Sequence, residues 1–252
     1  MHLYRTLCNN ILTMRKFGLI GYPLGHSASA RYFTDKFATE GICGEYSLYE
    51  IADITGVEPL RNTLEGFNVT IPYKKQILPY LASISDEAAA VGAVNCVKVG
   101  TNGTLHGYNT DVVGIRKSLE GYDLRGVKAL VLGTGGAAAA VVYVLRCMGV
   151  VVTSVSRREG NGVLSYAQVT SEVIASNRLI VNATPVGMYP YTDEAPQIDY
   201  SCLTEHHILF DLIYNPTHTR FLELGAERGA ATISGCEMFR QQAEASWAIW
   251  NE

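Results

Sequence analysis

The segment GTGGAA, Gly133 to Ala138, lies between two apolar, β-branched runs, VKALVL at 127–132 and VVVTSV at 150–155, with a helix-forming stretch at 137–148 closed by Gly149. A strand, a tight turn, a helix and a second strand make a βαβ unit, which fixes parallel strands and a right-handed crossover. The turn fits G-x-G-x-x-A. Gly133 permits the sharp bend, Gly135 lets a pyrophosphate approach the backbone, and Ala138 lets the helix pack closely on the strand. The free N–H groups and positive end of the helix then face the phosphates. A plain βα turn can show the same glycine spacing, and it is the position between strand and helix that favours a dinucleotide.

The second strand ends VSRR, about twenty residues beyond the turn, where an acidic side chain would bind the free ribose 2′-OH of NAD. Ser156 stands there instead, and Arg157 and Arg158 can meet a 2′-phosphate with charge-assisted, bidentate hydrogen bonds. NADP is therefore the expected cofactor. The competing reading is a solvated arginine pair, partly neutralised by Glu159. Further apolar runs at 179–183 and 208–213 extend a sheet of fully buried type, and amphipathic helices are expected at 217–227 and 238–250.

Upstream, strand-like segments at 17–21, 45–51 and 67–70 and a helical one at 30–39 continue the alternation, so the chain reads as α/β throughout. Runs at 94–99 and 105–109 flank Asn102-Gly103, a hairpin signal. A helix from 110 to 119, stopped by Gly121, marks a boundary, and 252 residues suit two domains. The expected division is 14–112, 113–234 and a closing helical segment 235–252. Residues 1–13 are expected to be an extension outside the fold, because Met14-Arg15-Lys16 resembles a start that leads directly into a strand.

A net charge of −4 with scattered cations leaves no basic surface for nucleic acid. No apolar run reaches the roughly 18 to 20 residues of a membrane span, and the first residues lack the core of a secretory signal. The expectation is a soluble, cytoplasmic protein, monomer or homodimer. The six cysteines are dispersed and read as reduced structural thiols, and no His or Cys cluster suggests a metal.

Four polar sequences adjoin strands in the first half: GHSAS at 25–29, NVTIPYK at 68–74, GAVN at 92–95 and NTD at 109–111. Each has a plain structural reading, as a helix N-cap at Ser27 or Ser29, turn residues at Asn68 and Asn95, or a carboxylate in a first helical turn at Asp111. Together, in this order and followed by GTGGAA, NATPVGM at 182–188, FDLIY at 210–214 and SGCEMFRQQA at 234–243, they resemble the shikimate dehydrogenase family from about residue 17 onward. Cys236 and Glu237 depart from that family's usual glycine-leucine-glycine-methionine pattern.

The resemblance implies an N-terminal α/β substrate domain, a Rossmann-type NADP-binding domain facing it across a cleft, and a C-terminal helix returning to the first domain. It implies reversible, NADPH-dependent reduction of 3-dehydroshikimate to shikimate, on the route to aromatic amino acids. Lys74 and Asp111 would be the catalytic pair. Ser27 and Ser29 would bind the substrate carboxylate with Tyr214 nearby, and Asn68, Thr70, Asn95 and Gln242 would bind its hydroxyls. Gly133, Gly135, Gly136, Ala137, Ser156, Arg157, Arg158, Thr184, Leu212 and Gly235 would contact the cofactor. The residue types suit the chemistry, since hydride attack turns a carbonyl into an alkoxide and a lysine can both stabilise and protonate it. Lys75 reads as solvated and His26 as structural. The alternatives are a quinate or dual quinate/shikimate dehydrogenase, or a catalytically silent NADP-binding module.

Overall fold

The structure, a computed structural model, describes residues 14–25, 27–160 and 162–252. The proposed extension at 1–13 and the structural reading of His26 therefore lie outside the described residues. The chain divides into two compact units, one running to Thr110 and taking in Ala243–Glu252, the other Asp111–Gln242.

In the first unit, β1 (Arg15–Gly21) pairs in parallel with β2 (Gly44–Glu50) on one side and β3 (Gly66–Val69) on the other. β1 and β3 are almost wholly buried, whereas β2 alternates, as an edge strand with one wet face does. Helix α1 (Ala28–Glu40) begins at Ser27, whose side chain accepts from the Ser29 N–H, and ends at Gly41 in the left-handed region (φ 66°). A two-residue strand β4 (Ser83–Ile84), a short helix α2 (Asp86–Val91), and the antiparallel hairpin β5 (Cys96–Val99) and β6 (Leu105–Tyr108) complete the unit. The sheet order is β2-β1-β3-β5-β6-β4.

In the second unit, α3 (Asp111–Ser118) leads to β7 (Lys128–Leu132), α4 (Gly136–Cys147) and β8 (Val151–Ser156). There follow β9 (Val163–Ser165), α5 (Ser171–Ser176), β10 (Leu179–Asn182), β11 (Ile208–Asp211), α6 (Arg220–Ala226) and β12 (Ala231–Ile233). All six strands are parallel, in the order β12-β11-β10-β7-β8-β9. This is the doubly wound arrangement, and its order reverses between β7 and β10. Helix α7 (Gly235–Asn251) closes the chain; its residues from Ala243 count with the first unit.

Elements without a sequence signal are the 3-10 helix Ile54–Asn62, which holds Pro59, and the short α2, β4, β9, α5 and β12. The helix expected from 217 starts instead at Arg220, because the buried Thr219 caps it by accepting from the Leu222 N–H. Cys96, Cys147, Cys202 and Cys236 are free thiols, but Cys43 is disulfide-bonded, which departs from the reduced reading because spacing alone carries no pairing information. Among the described residues no helix is long and apolar enough to cross a membrane, and no group of side chains could hold a metal ion.

An aromatic cluster fastens the first sheet. Phe17 stacks on Trp250 with centroids 4.9 Å apart, Phe33 stacks on Tyr46 at 4.5 Å, and the Trp250 indole N–H donates to the Val97 carbonyl at 3.0 Å. Gly66 makes room for that indole, since a Cβ there would stand 2.2 Å from its Cδ1. Gly66→Ala is accordingly expected to cost about 1–3 kcal/mol by overpacking. For a chain of this size that lowers Tm by several degrees, at roughly 2–4 °C per kcal/mol. Thermal unfolding checks this, and an unchanged Tm would mean that the indole has slack.

Candidate active site

The glycine turn sits where the second sheet reverses. Gly133 has φ 114°, and a Cβ on it would meet the Ala183 carbonyl, just beyond β10, at 2.9 Å. Conformation and contact both demand glycine there. Gly135 differs: its φ is −75°, and a Cβ would meet nothing within 4 Å. Neither backbone nor neighbours require the missing side chain, so the open approach is what distinguishes this position. Gly135 is the N-cap of α4 and makes no side-chain cap bond, leaving the N–H groups at the head of Gly136 and Ala137 to be satisfied from outside the helix. Ala138 is buried against the sheet. These features fit a dinucleotide pyrophosphate.

At the end of β8, the Ser156 hydroxyl donates to the Arg158 carbonyl at 2.6 Å and accepts from the Arg158 N–H at 3.2 Å. It closes a turn that leaves Arg157 and Arg158 exposed.

The next two strand ends are tied together. Asp211 and Asn182 are both fully buried, and Asn182 Nδ2 donates to Asp211 Oδ1 at 3.1 Å. Asn182 Oδ1 receives the Thr184 N–H at 3.1 Å and its hydroxyl at 2.6 Å. Asp211 also receives the Ile213 N–H at 3.0 Å and the Thr219 hydroxyl at 2.6 Å. Burial pushes the Asp211 carboxyl up from 3.8 to about 6, although all three donors favour the charged form. Beyond β11, the half-buried Leu212 presents its carbonyl to Gly235, where a Cβ would come within 2.4 Å of it. Tyr214 is 37% exposed and its ring lies 4.5 Å from that of Phe239. Cys236 and Glu237 turn to local partners: the thiol donates to the Tyr214 carbonyl at 3.8 Å, and Glu237 pairs with Arg240 at 2.7 Å.

In the first unit, Lys74 lies half-buried in the turn after β3, between the buried Tyr73 and Ile77, with its carbonyl accepting from the Val94 N–H at 2.8 Å; Lys75 is exposed. Thr70 is half-buried at the start of that turn. Ser27 is half-buried and Ser29 buried at the head of α1. Asn95 is buried and accepts from both the N–H and the hydroxyl of Thr110, at 2.7 and 3.2 Å. The Thr110 hydroxyl also pairs with Ser246 at 3.1 Å. Asn68 is buried: its amide donates to the Asn95 carbonyl at 3.2 Å and to Ser246 at 2.9 Å, while Oδ1 accepts from Tyr46 and keeps a second lone pair. Both amide hydrogens are committed to internal bonds. In the second unit, Asp111, 5% exposed, opens α3, and Gln242, half-buried on α7, donates to the Phe239 carbonyl at 3.0 Å.

The sequence reading missed Asn182, Asp211, Thr219 and Ser246 as participants. A signal existed for two of them: polar side chains ending the runs LIVN and ILFD are out of place in strands buried on both faces.

The family model described as the shikimate dehydrogenase substrate binding domain matches residues 19–97. A shikimate dehydrogenase (NADP(+)) from Carboxydothermus hydrogenoformans is 35% identical, over 92% of this chain and 90% of the relative. The structure of shikimate 5-dehydrogenase from Thermus thermophilus in complex with NADP(H) and shikimate matches at TM-score 0.84 and 31% identity, covering 94% of this chain and 93% of that one. Quinate dehydrogenase from Corynebacterium glutamicum in complex with NAD matches at TM-score 0.82 and 27% identity, covering 94% and 93%.

The raised Asp211 carboxyl has a definite sign. From about pH 4 to about 6 the folded protein holds a proton that the unfolded chain has released, so this group's contribution to stability falls as pH rises and is fully unfavourable above about 6. Asp211→Asn cannot ionise and escapes that fall. The Tm of the variant relative to the parent should therefore improve between about pH 4 and 7; a gap that stays constant or widens against the variant would show that the carboxyl is not raised.

Proposed function

The chain belongs to the shikimate dehydrogenase family, and we infer that it catalyses the reversible, NADPH-dependent reduction of 3-dehydroshikimate to shikimate. The observation that carries this reading is 35% identity over 92% of the chain to a shikimate dehydrogenase (NADP(+)). The bare, uncapped turn at the switch point of a parallel sheet supports it. NADPH supplies the hydride. What the chain must add is a fixed polar site for the substrate and a proton for the oxygen on which charge develops.

We place Lys74 and Asp111 as the catalytic pair, with Lys74 giving its Nζ proton to the forming alkoxide. Its half-buried position in a turn pinned by Tyr73 and Ile77 supports that role, and the exposure of Lys75 speaks against the neighbour. Ser27 accepts the Ser29 N–H and can at the same time donate its own hydrogen, as a substrate carboxylate requires. Asn68, Thr70, Asn95 and Gln242 take the hydroxyls of the substrate, with Tyr214 near its carboxylate. Asn68 can accept a substrate hydroxyl on the second lone pair of Oδ1 while its amide holds the Asn95 carbonyl and Ser246 in place.

On the cofactor, Gly133, Gly135, Gly136 and Ala137 take the pyrophosphate, with Thr184, Leu212 and Gly235 nearby along the sheet's carboxyl edge. Ser156 orients Arg157 and Arg158 towards the 2′-phosphate. The quinate alternative keeps a specific basis in the likeness to quinate dehydrogenase. Shikimate and quinate assayed against NADP and NAD, following nicotinamide absorbance, separate the two. Turnover is expected with shikimate and NADP; preference for quinate and NAD would move the chain to the alternative, and no turnover would support a silent module.

Lys74→Ala should fold, bind NADP like the parent and lose about 10²- to 10⁴-fold in turnover, the usual loss for one acid-base group. Retention of about half the parent rate would remove Lys74 from the mechanism. Arg157→Ala or Arg158→Ala should weaken NADP by roughly tenfold to a hundredfold, matching a charged hydrogen bond of about 1.5–3 kcal/mol, and leave NAD nearly unaffected. The ratio of kcat/KM for the two cofactors checks this, and equal losses would mean that the arginines serve the fold.

A further inference from the structure

Asn182 and Asp211 face one another in register across β10 and β11, each the last residue of an otherwise apolar strand. Both are fully buried. Burying an amide and a carboxylate side by side is unfavourable unless every polar atom is matched, so an apolar pair would serve the sheet alone. The bonds show what the polar pair adds. Each residue accepts the N–H two positions on, Asn182 from Thr184 and Asp211 from Ile213, which sets the same kind of tight turn at both strand ends. The bond from Asn182 Nδ2 to Asp211 Oδ1 ties the two turns together. With the bond from the same Nδ2 to the Val186 carbonyl at 3.2 Å, it fixes which way the Asn182 amide points, and so keeps Oδ1 towards the N–H and hydroxyl of Thr184.

Thr184 in turn holds the loop, accepting from the Val186 N–H at 3.2 Å, and stands against the glycine turn, its Cγ2 3.3 Å from where a Cβ on Gly133 would be. A flipped Asn182 amide would direct donors at donors and release Thr184. On the far side the Thr219 hydroxyl anchors the carboxylate while capping α6, so the support reaches back into a helix.

We propose that Asp211 is a positioning residue for the cofactor: through Asn182 it holds Thr184 at the edge of the dinucleotide turn. The proposal rests on the reading of that turn as the NADP site. Neither Asp211 nor Asn182 has a role in the chemistry assigned above.

A double-mutant cycle on the full chain tests it, with the Kd for NADPH read by fluorescence and Tm measured alongside. Thr184→Val is expected to weaken NADPH. Asp211→Asn, which loses the charge that orients Asn182, should weaken NADPH about five- to tenfold in the parent and less than about twofold in the Thr184→Val background, the non-additivity expected of residues acting in series. The kcat at saturating cofactor should stay near the parent value. Equal loss of affinity in both backgrounds, or a fall in kcat with Kd unchanged, would overturn the proposal. If Asp211→Asn yields no folded protein, Asn182→Ser breaks the same link while leaving the carboxylate its other two donors, and the same criterion decides. A parent that fails to bind NADPH, or a Thr184→Val variant that binds it unchanged, would instead overturn the site reading and the proposal with it.

Discussion

The approach of Gly133 to the Ala183 carbonyl is the contact on which the second unit depends. Two parallel strands at the reversal point must part to leave a crevice, yet their ends must stay close enough for the loops beyond them to share one ligand. A residue with φ 114° and no side chain satisfies both conditions, and any larger residue would push the ends of β7 and β10 apart. Placed this way, the chain enters α4 with its first N–H groups unsatisfied and no side chain to cap them. The helix can remain in that state because Ala138, Ala140, Val141, Val144 and Leu145 are buried along its inner stripe and hold it on the sheet. Packing stabilises the helix, and its electrostatic end is left for a ligand.

The first unit solves a different problem. Its polar residues must be rigid without being consumed, and a relay achieves this: Tyr46 to Asn68, Asn68 to Ser246 and the Asn95 carbonyl, Thr110 to Asn95 and Ser246. Every member is buried. Asn68 and Asn95, which come from different motifs, are thereby fixed against one another. Within the motif NVTIPYK, Asn68 gives both amide hydrogens to this relay, while Lys74 enters the next turn through its backbone carbonyl. Adjacency in a motif reflects a shared local fold and does not give each residue the same task.

Legibility in the sequence followed element length and period. β7, α4 and β8 were readable because an apolar run, a glycine turn and a helix-forming stretch leave few alternatives, and the β5–β6 hairpin because Asn102-Gly103 suits a turn in which Gly103 has φ 76°. Ser83–Ile84 and Ala231–Ile233 were not readable, since two or three residues show no period and such strands form by pairing with β6 and β11 that already exist. Ile54–Asn62 carries Pro59 within a 3-10 helix, where a search for helix signals finds a breaker. In the site, glycines and charged residues could be located, but the commitment of Asn68 and the link between Asn182 and Asp211 are pairings across strands far apart in sequence. Composition could mark Asp211 as anomalous; only the register of β10 with β11 names its partner.

At the end of β8 a single hydroxyl closes the turn that carries Arg157 and Arg158. Ser156 both donates to the Arg158 carbonyl and accepts from the Arg158 N–H, so one hydroxyl satisfies an acceptor and a donor of the same residue. A carboxylate at that position could still accept the N–H but would face the carbonyl with a like partial charge and no hydrogen to offer. The N–H bond alone would then hold the turn, as it does from Ile213 to Asp211. A serine and an acid at residue 156 are therefore alternative closures of one turn, the first with two bonds and the second with one. Removing either cation would leave that closure in place, whereas an acid at residue 156 would change it, so the two kinds of substitution act on this strand end through different atoms.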